Sequence, residues 1–155
     1  MTKDTVEKVV LHPLTISRTD VGRNPQPLIV VWAGPIVGVA APLAIWGLLA
    51  AIGASLAWLA RFFAGFCCLA NGLYIGMGSF DRVGDADDML RHGTPIWALW
   101  LFGLIVAPLG LVLWNGLGPK FGWGRNAEPV SWTVALGCTA LLLATLVVEL
   151  LLSPT

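Results

Sequence analysis

Charged residues are scarce in this sequence: nine Lys or Arg and nine Asp or Glu make up 12% of its 155 residues. Soluble domains carry about 25% charged residues. Hydrophobic residues, by contrast, make up 57% of the chain. A water-soluble globule of this size cannot bury so much apolar material, because much of its surface must face water. The composition therefore predicts an integral membrane protein whose principal partner is the lipid bilayer.

Net charge and cysteine are low as well. The net charge is zero, so no excess of basic residues indicates a nucleic-acid partner. Of the three cysteines, Cys67 and Cys68 are adjacent and Cys138 lies far from both. This spacing gives neither a disulfide framework nor the C-x-x-C pattern of zinc sites. We interpret all three as small apolar residues within membrane helices.

Long stretches of the sequence contain no charge at all. The first, residues 28–60, would form a helix of about 50 Å, well beyond a hydrocarbon core of roughly 30 Å. Two antiparallel helices that turn around Gly53 accommodate it better, with Arg61 near the start of the second, where it can snorkel to the interface. We expect an all-α integral membrane protein with four transmembrane helices, near residues 28–50, 56–78, 95–115 and 131–152.

The first 27 residues differ from the rest because they are rich in charge. Short β-branched runs at 5–11 and 14–17 flank Pro13, which predicts two short strands or a β-hairpin-like segment. The chain therefore divides into a polar N-terminal segment, 1–27, and a membrane domain, 28–155. The segment lacks the continuous apolar stretch of a signal peptide, so we do not expect it to be a targeting sequence.

Lys and Arg are unevenly distributed among the connections. Six lie in the N-terminal segment and in the polar loop at 79–94, against three elsewhere. Cytoplasmic loops carry an excess of Lys and Arg, so we expect both termini to be cytoplasmic. Short loops and the lack of a targeting sequence favour a bacterial inner membrane as the location.

Polar residues in otherwise apolar spans are the first candidates for function. Asn71 lies in the middle of the second predicted span, whereas Glu149, near the end of the fourth, is best explained as an interfacial carboxylate. The loop at 79–94 holds four Asp within eight residues but lacks the central Gly and terminal Glu of an EF-hand. Asp88 and His92 share a helical face, yet two ligands do not make a zinc site. The loop is predicted to be a solvated connection whose acidic residues favour the start of a short helix.

Two pairs of glycines are spaced about one helical turn apart, Gly34-x-x-x-Gly38 and Gly72-x-x-x-Gly76. Small residues at this spacing let transmembrane helices approach closely. We expect these pairs to pack the first helix against the second.

The segment that opens the first span, Ala33-Gly34-Pro35-Ile36-Val37-Gly38, resembles the A-G-P-x-x-N signature of site-2 protease-type intramembrane zinc metalloproteases. Asn71, followed later by Gly84-Asp85-Ala86, resembles the element of that family that begins with Asn and ends with Asp-Gly. The strands predicted before the first span fit the family's short β-hairpin. The resemblance covers roughly residues 5–92. It implies that Asp85 is the third zinc ligand and that Asn71, Gly34 and Pro35 support the site.

The sequence departs from this family in three places. Gly38 replaces the Asn of the signature, Ala86 replaces the Gly of Asp-Gly, and no H-E-x-x-H is present. That motif supplies two zinc-binding His and the general base, whereas His12 and His92 are eighty residues apart. For this chain alone we expect no catalytic residue, no peptidase activity and no bound cofactor. Zinc is expected only in a form that includes the missing helix.

Two explanations of the missing helix stay open. Either Met1 is a late start or a truncation, or the protein is a pseudoenzyme that binds membrane proteins or substrates through the retained scaffold. The alternative from a different class is a non-enzymatic membrane scaffold, or a transporter or channel subunit. Against a channel, no predicted span carries repeated polar residues along one face.

Overall fold

A computed structural model describes residues 6–10, 18–21, 26–124 and 126–152. The described elements fall into two compact units, which are treated separately. The larger unit is the helical unit, residues 26–128. It contains helices α1, Pro27–Ala51, α2, Ala57–Asp81, α3, Asp85–Arg91, and α4, Ile96–Trp114, followed by a 3-10 turn, Gly118–Phe121. The smaller unit contains strands β1, Val6–Val10, and β2, Arg18–Val21, and helix α5, Trp132–Leu152.

Among the described residues, four helices, α1, α2, α4 and α5, are long and apolar enough to cross a membrane, which is the number that the sequence predicts. Even the shortest, α4 with 19 residues, reaches about 28 Å at 1.5 Å per residue. The observed bounds lie within three residues of the predicted ones. The largest difference is at the end of α2, which continues to Asp81 because a charged residue is tolerated at the end of a span.

α1 and α2 form an antiparallel pair joined by a tight turn. α1 begins at Pro27, whose fixed φ suits the first turn of a helix. Past the end of α1, Gly53 adopts a φ of +66°, a conformation that glycine enters without steric penalty. The turn lies where the sequence predicts it. Pro35 and Pro42 lie within α1.

α2 and α4 pack backbone against backbone through small residues. A Cβ added at Gly72 would lie 2.6 Å from the main-chain nitrogen of Ala107, and one added at Gly103 would lie 2.9 Å from the Gly76 Cα. A Cβ at Gly110 would lie 2.6 Å from the Gly65 carbonyl oxygen. No larger side chain fits at these positions without displacing main-chain atoms.

The packing of the glycine pairs corrects one prediction. Gly72 and Gly76 do not pack α2 against α1, as expected from the sequence, but against α4. Gly38 does face α2, since a Cβ there would lie 3.1 Å from the Asn71 amide nitrogen. A Cβ at Gly34 would meet no atom of the described residues within 4 Å. The spacing of small residues predicts a close contact, but it does not identify the neighbouring helix.

The core of the helical unit consists of two clusters of buried side chains. The first joins α1, α2 and α4 through Val39, Ala64, Cys68, Val106 and Leu113. The second lies where α2 ends and α4 begins, and it includes α3 through Ile75, Ala86, Met89 and Leu99. α3 is therefore a packed element of the helical unit.

In the smaller unit, β1 and β2 pair antiparallel, with Lys8 opposite Asp20, Val9 opposite Thr19 and Val10 opposite Arg18. β1 lies within the first predicted β-branched run. The second run, 14–17, lies outside the described residues together with Pro13 and His12. In α5 the hydroxyls of Thr139 and Thr145 donate to main-chain carbonyls one turn earlier, which satisfies them inside an apolar helix.

Candidate functional site

Asp85, the predicted metal ligand, is the first residue of α3. α2 ends at Asp81, and the next residue, Arg82, adopts a left-handed conformation with φ +52°; Gly84 follows with φ +55°. These two unusual conformations reverse the chain within a few residues. The main-chain N–H of Asp85 then donates to the hydroxyl of Tyr74, at 3.3 Å between nitrogen and oxygen. Tyr74 lies two turns before the end of α2. A side chain of α2 therefore contacts the first residue of α3.

The carboxyl group of Asp85 is electrostatically disfavoured in its charged form. Burial raises the pKa of this carboxyl, and the nearby negative charge of Asp88 raises it further. The residue as a whole is exposed, so the desolvation acts on one part of the side chain. Asp87, two residues on, is paired with Arg91 at 2.6 Å, one turn along α3. Asp85, unlike Asp87, pairs with no cationic side chain in the part of the chain that the structure describes.

Asp88 and His92 share a face of α3, but their side chains do not converge on a common site. The Nδ1 of His92 lies 2.7 Å from the main-chain carbonyl oxygen of Asp88. A hydrogen bond of this kind requires a proton on Nδ1, because the carbonyl can only accept. The ring therefore stabilises the carboxyl end of α3.

Asn71 lies away from Asp85, in the contact between α1 and α2. It is ten residues before the end of α2, or about 15 Å along the helix axis. Its side-chain amide donates to the Cys67 carbonyl at 2.8 Å, and it packs against Gly38. Within residues 26–124, no hydrogen bond connects Asn71 to Asp85.

The remaining residues of the resemblance lie on α1. Pro35 is buried, whereas Gly34 is exposed. Gly38 leaves the space that the Asn71 amide occupies. A larger side chain at 38 would push against Asn71. The missing side chain at 38 and the amide at 71 are therefore sterically matched.

The donor atoms near Asp85 do not complete a zinc site. Among the described residues, no group of three or more His, Cys, Asp or Glu side chains comes together. A zinc ion bound by protein needs at least three such ligands. Asp85 can supply one of them, and His12 lies outside the described residues.

Sequence reasoning missed Tyr74, the residue that contacts the start of α3. It is the single tyrosine of the chain and shows no periodic pattern with other polar residues. One available signal for Tyr74 was that it lies one turn beyond Asn71 on the same helix, close to the acidic loop.

Sequence reasoning also missed the link between Trp32 of α1 and Thr94, where the indole N–H donates to the threonine hydroxyl at 3.2 Å.

Arg61 holds the α2–α4 pair together at the end that is far from α3. Its guanidinium donates to the Asn115 carbonyl at 2.9 Å and, more weakly, to the Val112 carbonyl at 3.5 Å. The indole of Trp114 donates to the Phe62 carbonyl at 2.9 Å and its ring stacks on the Phe62 ring. Arg61 lies near the start of α2, as predicted, and its charge satisfies the carboxyl end of α4.

An apolar groove of about 410 Å³ runs along the α2–α4 contact. The glycines Gly72, Gly76 and Gly103 lie along it, and Leu73, Met77 and Leu104 are among its other lining residues. Near one end, Phe80 stacks on Trp100, whose indole N–H donates to the Ser79 hydroxyl at 3.0 Å. The groove presents hydrocarbon surface, as a lipid-facing helix pair does.

Comparisons with protein-family models, with curated proteins and with solved structures find no match to this chain. The function is therefore argued from the residues and their geometry.

Proposed function

We propose that this protein is a site-2 protease-like integral membrane protein that lacks peptidase activity as this chain alone. In this proposal Asp85 is a zinc ligand where the zinc-binding helix is supplied. The observation that carries the proposal is the geometry of Asp85: it opens a short packed helix at the end of an apolar span, it is partly desolvated, and no cationic side chain of the described residues pairs with it. A carboxylate in such surroundings gains from a bound cation.

The proposal assigns limited roles to this chain's residues. Asp85 holds one ligand position, and Asn71 stabilises the α1–α2 contact behind it. When bound, zinc lowers the pKa of its water and polarises a carbonyl. No step of hydrolysis is assigned to this chain, because the sequence has no H-E-x-x-H to supply the other ligands and the base.

The membrane arrangement is part of the same proposal. The four apolar helices indicate contact with membrane lipid. The distribution of Lys and Arg favours cytoplasmic termini in a bacterial inner membrane, with the β-hairpin-like segment on the cytoplasmic side. In this proposal the scaffold binds other membrane proteins, either as partners or as substrates.

A non-enzymatic scaffold or transport subunit is the second candidate function. The observation that favours it is the α2–α4 pair, whose glycine contacts make a stable helix pair without any catalytic group. Metal content separates the two candidates. A scaffold or transport subunit purified in mild detergent binds no stoichiometric zinc, whereas the protease-like protein in its complete form does.

The first experiment is the intact mass of the protein isolated from its native membrane. A mass several kilodaltons above the 16.5 kDa of this chain means that an upstream helix exists and supports the protease-like proposal. A mass that matches this chain means that the zinc helix is not part of the polypeptide. The pseudoenzyme form and the scaffold alternative then gain support.

The second experiment replaces Asp85 in the zinc-containing form. Asp85→Ala is expected to abolish zinc retention, measured by elemental analysis after gel filtration. Asp87→Ala is the matched control, because Asp87 is already paired with Arg91. Unchanged zinc content in Asp85→Ala would rule out the assigned ligand.

A further inference from the structure

α3 is held at both ends by aromatic side chains from two different helices. At its start, the Tyr74 hydroxyl of α2 accepts the Asp85 N–H. Just past its end, Trp32 of α1 donates to the Thr94 hydroxyl. Between these points Ala86 and Met89 are fully buried. The hydrogen bonds therefore fix the position of a helix that is already packed on one face.

The Tyr74 contact satisfies a donor that α3 cannot satisfy itself. The first N–H groups of a helix have no partner within the helix, and a side chain at the N-cap usually accepts one of them. The N-cap residue of α3 is Gly84, which has no side chain to do so. The Tyr74 hydroxyl, which lies outside α3, is the acceptor instead and binds the Asp85 N–H.

Gly84 makes this contact possible. Its φ of +55° and ψ of −133° belong to a region that only glycine enters without strain. A Cβ on Gly84 would overlap the Tyr74 hydroxyl oxygen. The missing side chain at 84 and the long aromatic side chain at 74 are thus matched to each other.

We propose that Tyr74 is a positioning residue for Asp85. Together with Gly84 it forms a latch that fixes the start of α3, and so the depth and direction of the Asp85 carboxylate at the end of α2. The latch itself depends only on the contacts above. The identity of what Asp85 binds rests on the proposed function.

Backbone amide exchange tests the latch in the full chain, held in detergent micelles and read residue by residue by NMR. Tyr74→Phe removes the acceptor oxygen and keeps the ring. We expect it to speed exchange at the Asp85 amide by up to roughly tenfold, the size of effect that one hydrogen bond supports. Tyr74 is partly exposed, so this variant keeps the core intact. Gly84→Ala should change exchange at 85 in the same direction.

Thr94→Ala is the matched control because it removes the other fixed point of the same segment. It should speed exchange around residue 94 and leave the Asp85 amide unchanged. An Asp85 amide that exchanges equally fast in the parent chain and in Tyr74→Phe would overturn the latch. So would Thr94→Ala acting on the Asp85 amide as strongly as Tyr74→Phe does.

Zinc affinity then separates the latch from the proposed function. In the protein from its native membrane, with Zn²⁺ as the probe, Tyr74→Phe should weaken zinc binding by roughly 10–100-fold, as loss of an orienting partner does. If Asp85→Ala removes zinc but Tyr74→Phe binds it unchanged, the positioning role is wrong and the zinc assignment stands. If neither variant alters zinc content, the proposed function fails, and amide exchange alone decides the latch.

Discussion

In its carboxyl half, α2 contacts α4 and α3 in different ways. Against α4 it places main chain on main chain, with Gly72 and Gly76 opposite Ala107 and Gly103. Against α3 it relies on one tyrosine hydrogen bond and a small cluster of buried side chains. The first contact has no room for adjustment, whereas the second depends on side chains that can move. The α2–α4 contact is therefore the main-chain scaffold, and the start of α3, with Asp85, is held on it by side chains.

Filling the α2–α4 contact should have the largest effect on stability. Gly103→Leu forces a side chain into the space of the Gly72 and Gly76 main chain. Overpacking of this kind costs about 1–3 kcal/mol, and we expect the upper end because main-chain atoms must move. Unfolding by SDS titration in mixed micelles measures it. Gly34→Leu is the control, because a Cβ there meets no described atom within 4 Å. Equal losses in both variants would contradict the account of this interface.

Removing the charge of Arg61, at the other end of the α2–α4 pair, should lower stability by a smaller amount. Arg61→Ala leaves the Asn115 carbonyl without its donor, which costs about 1–2 kcal/mol for a partly exposed charged hydrogen bond. The same titration measures the loss. Lys120→Ala is the comparison, since the exposed Lys120–Glu128 pair is worth about 0–1 kcal/mol. If Lys120→Ala lowered stability more than Arg61→Ala does, the ranking of these two interactions would be wrong.

The smallest effect on stability is expected at the start of α3, and it depends on pH. Burial and Asp88 raise the pKa of Asp85, so the folded state binds this proton more tightly than the unfolded state. The contribution to stability is complete below the unfolded pKa and is lost as pH rises through the folded pKa. Asp85→Asn should therefore flatten the pH dependence of unfolding in that window, measured by titration at several pH values.

The contradicting result for this pH dependence is defined by the same titration. A slope of stability against pH that survives Asp85→Asn unchanged would show that the titration does not belong to this carboxylate.

The sequence predicts the spans well because a hydrocarbon core excludes charge. The uncharged runs at 28–60, 62–80, 93–119 and 129–148 limit where the four helices lie. The helix that Gly72 and Gly76 contact is not predicted, because spacing along one helix carries no information about its neighbour. Only the folded chain shows that Ala107 and Gly103 of α4 are their counterparts.

The candidate site is predictable only in part. Asp85 is identified by the resemblance, and its place at the start of a short helix follows from the acidic cluster around it. Tyr74 is not predicted, because a single hydroxyl that caps a neighbouring helix leaves no pattern in the sequence. The distance between Asn71 and Asp85 is likewise set by the helix that carries Asn71 and the turn that follows it.

The zinc content of the protein isolated from its native membrane, with and without Asp85→Ala, tests the central claim most directly. In the form that includes the zinc-binding helix, we expect close to one zinc per polypeptide in the parent protein and none in the variant, with Asp87→Ala retaining the metal. In that form, a parent protein that carries no zinc, or a variant that keeps it, would contradict the assignment of Asp85.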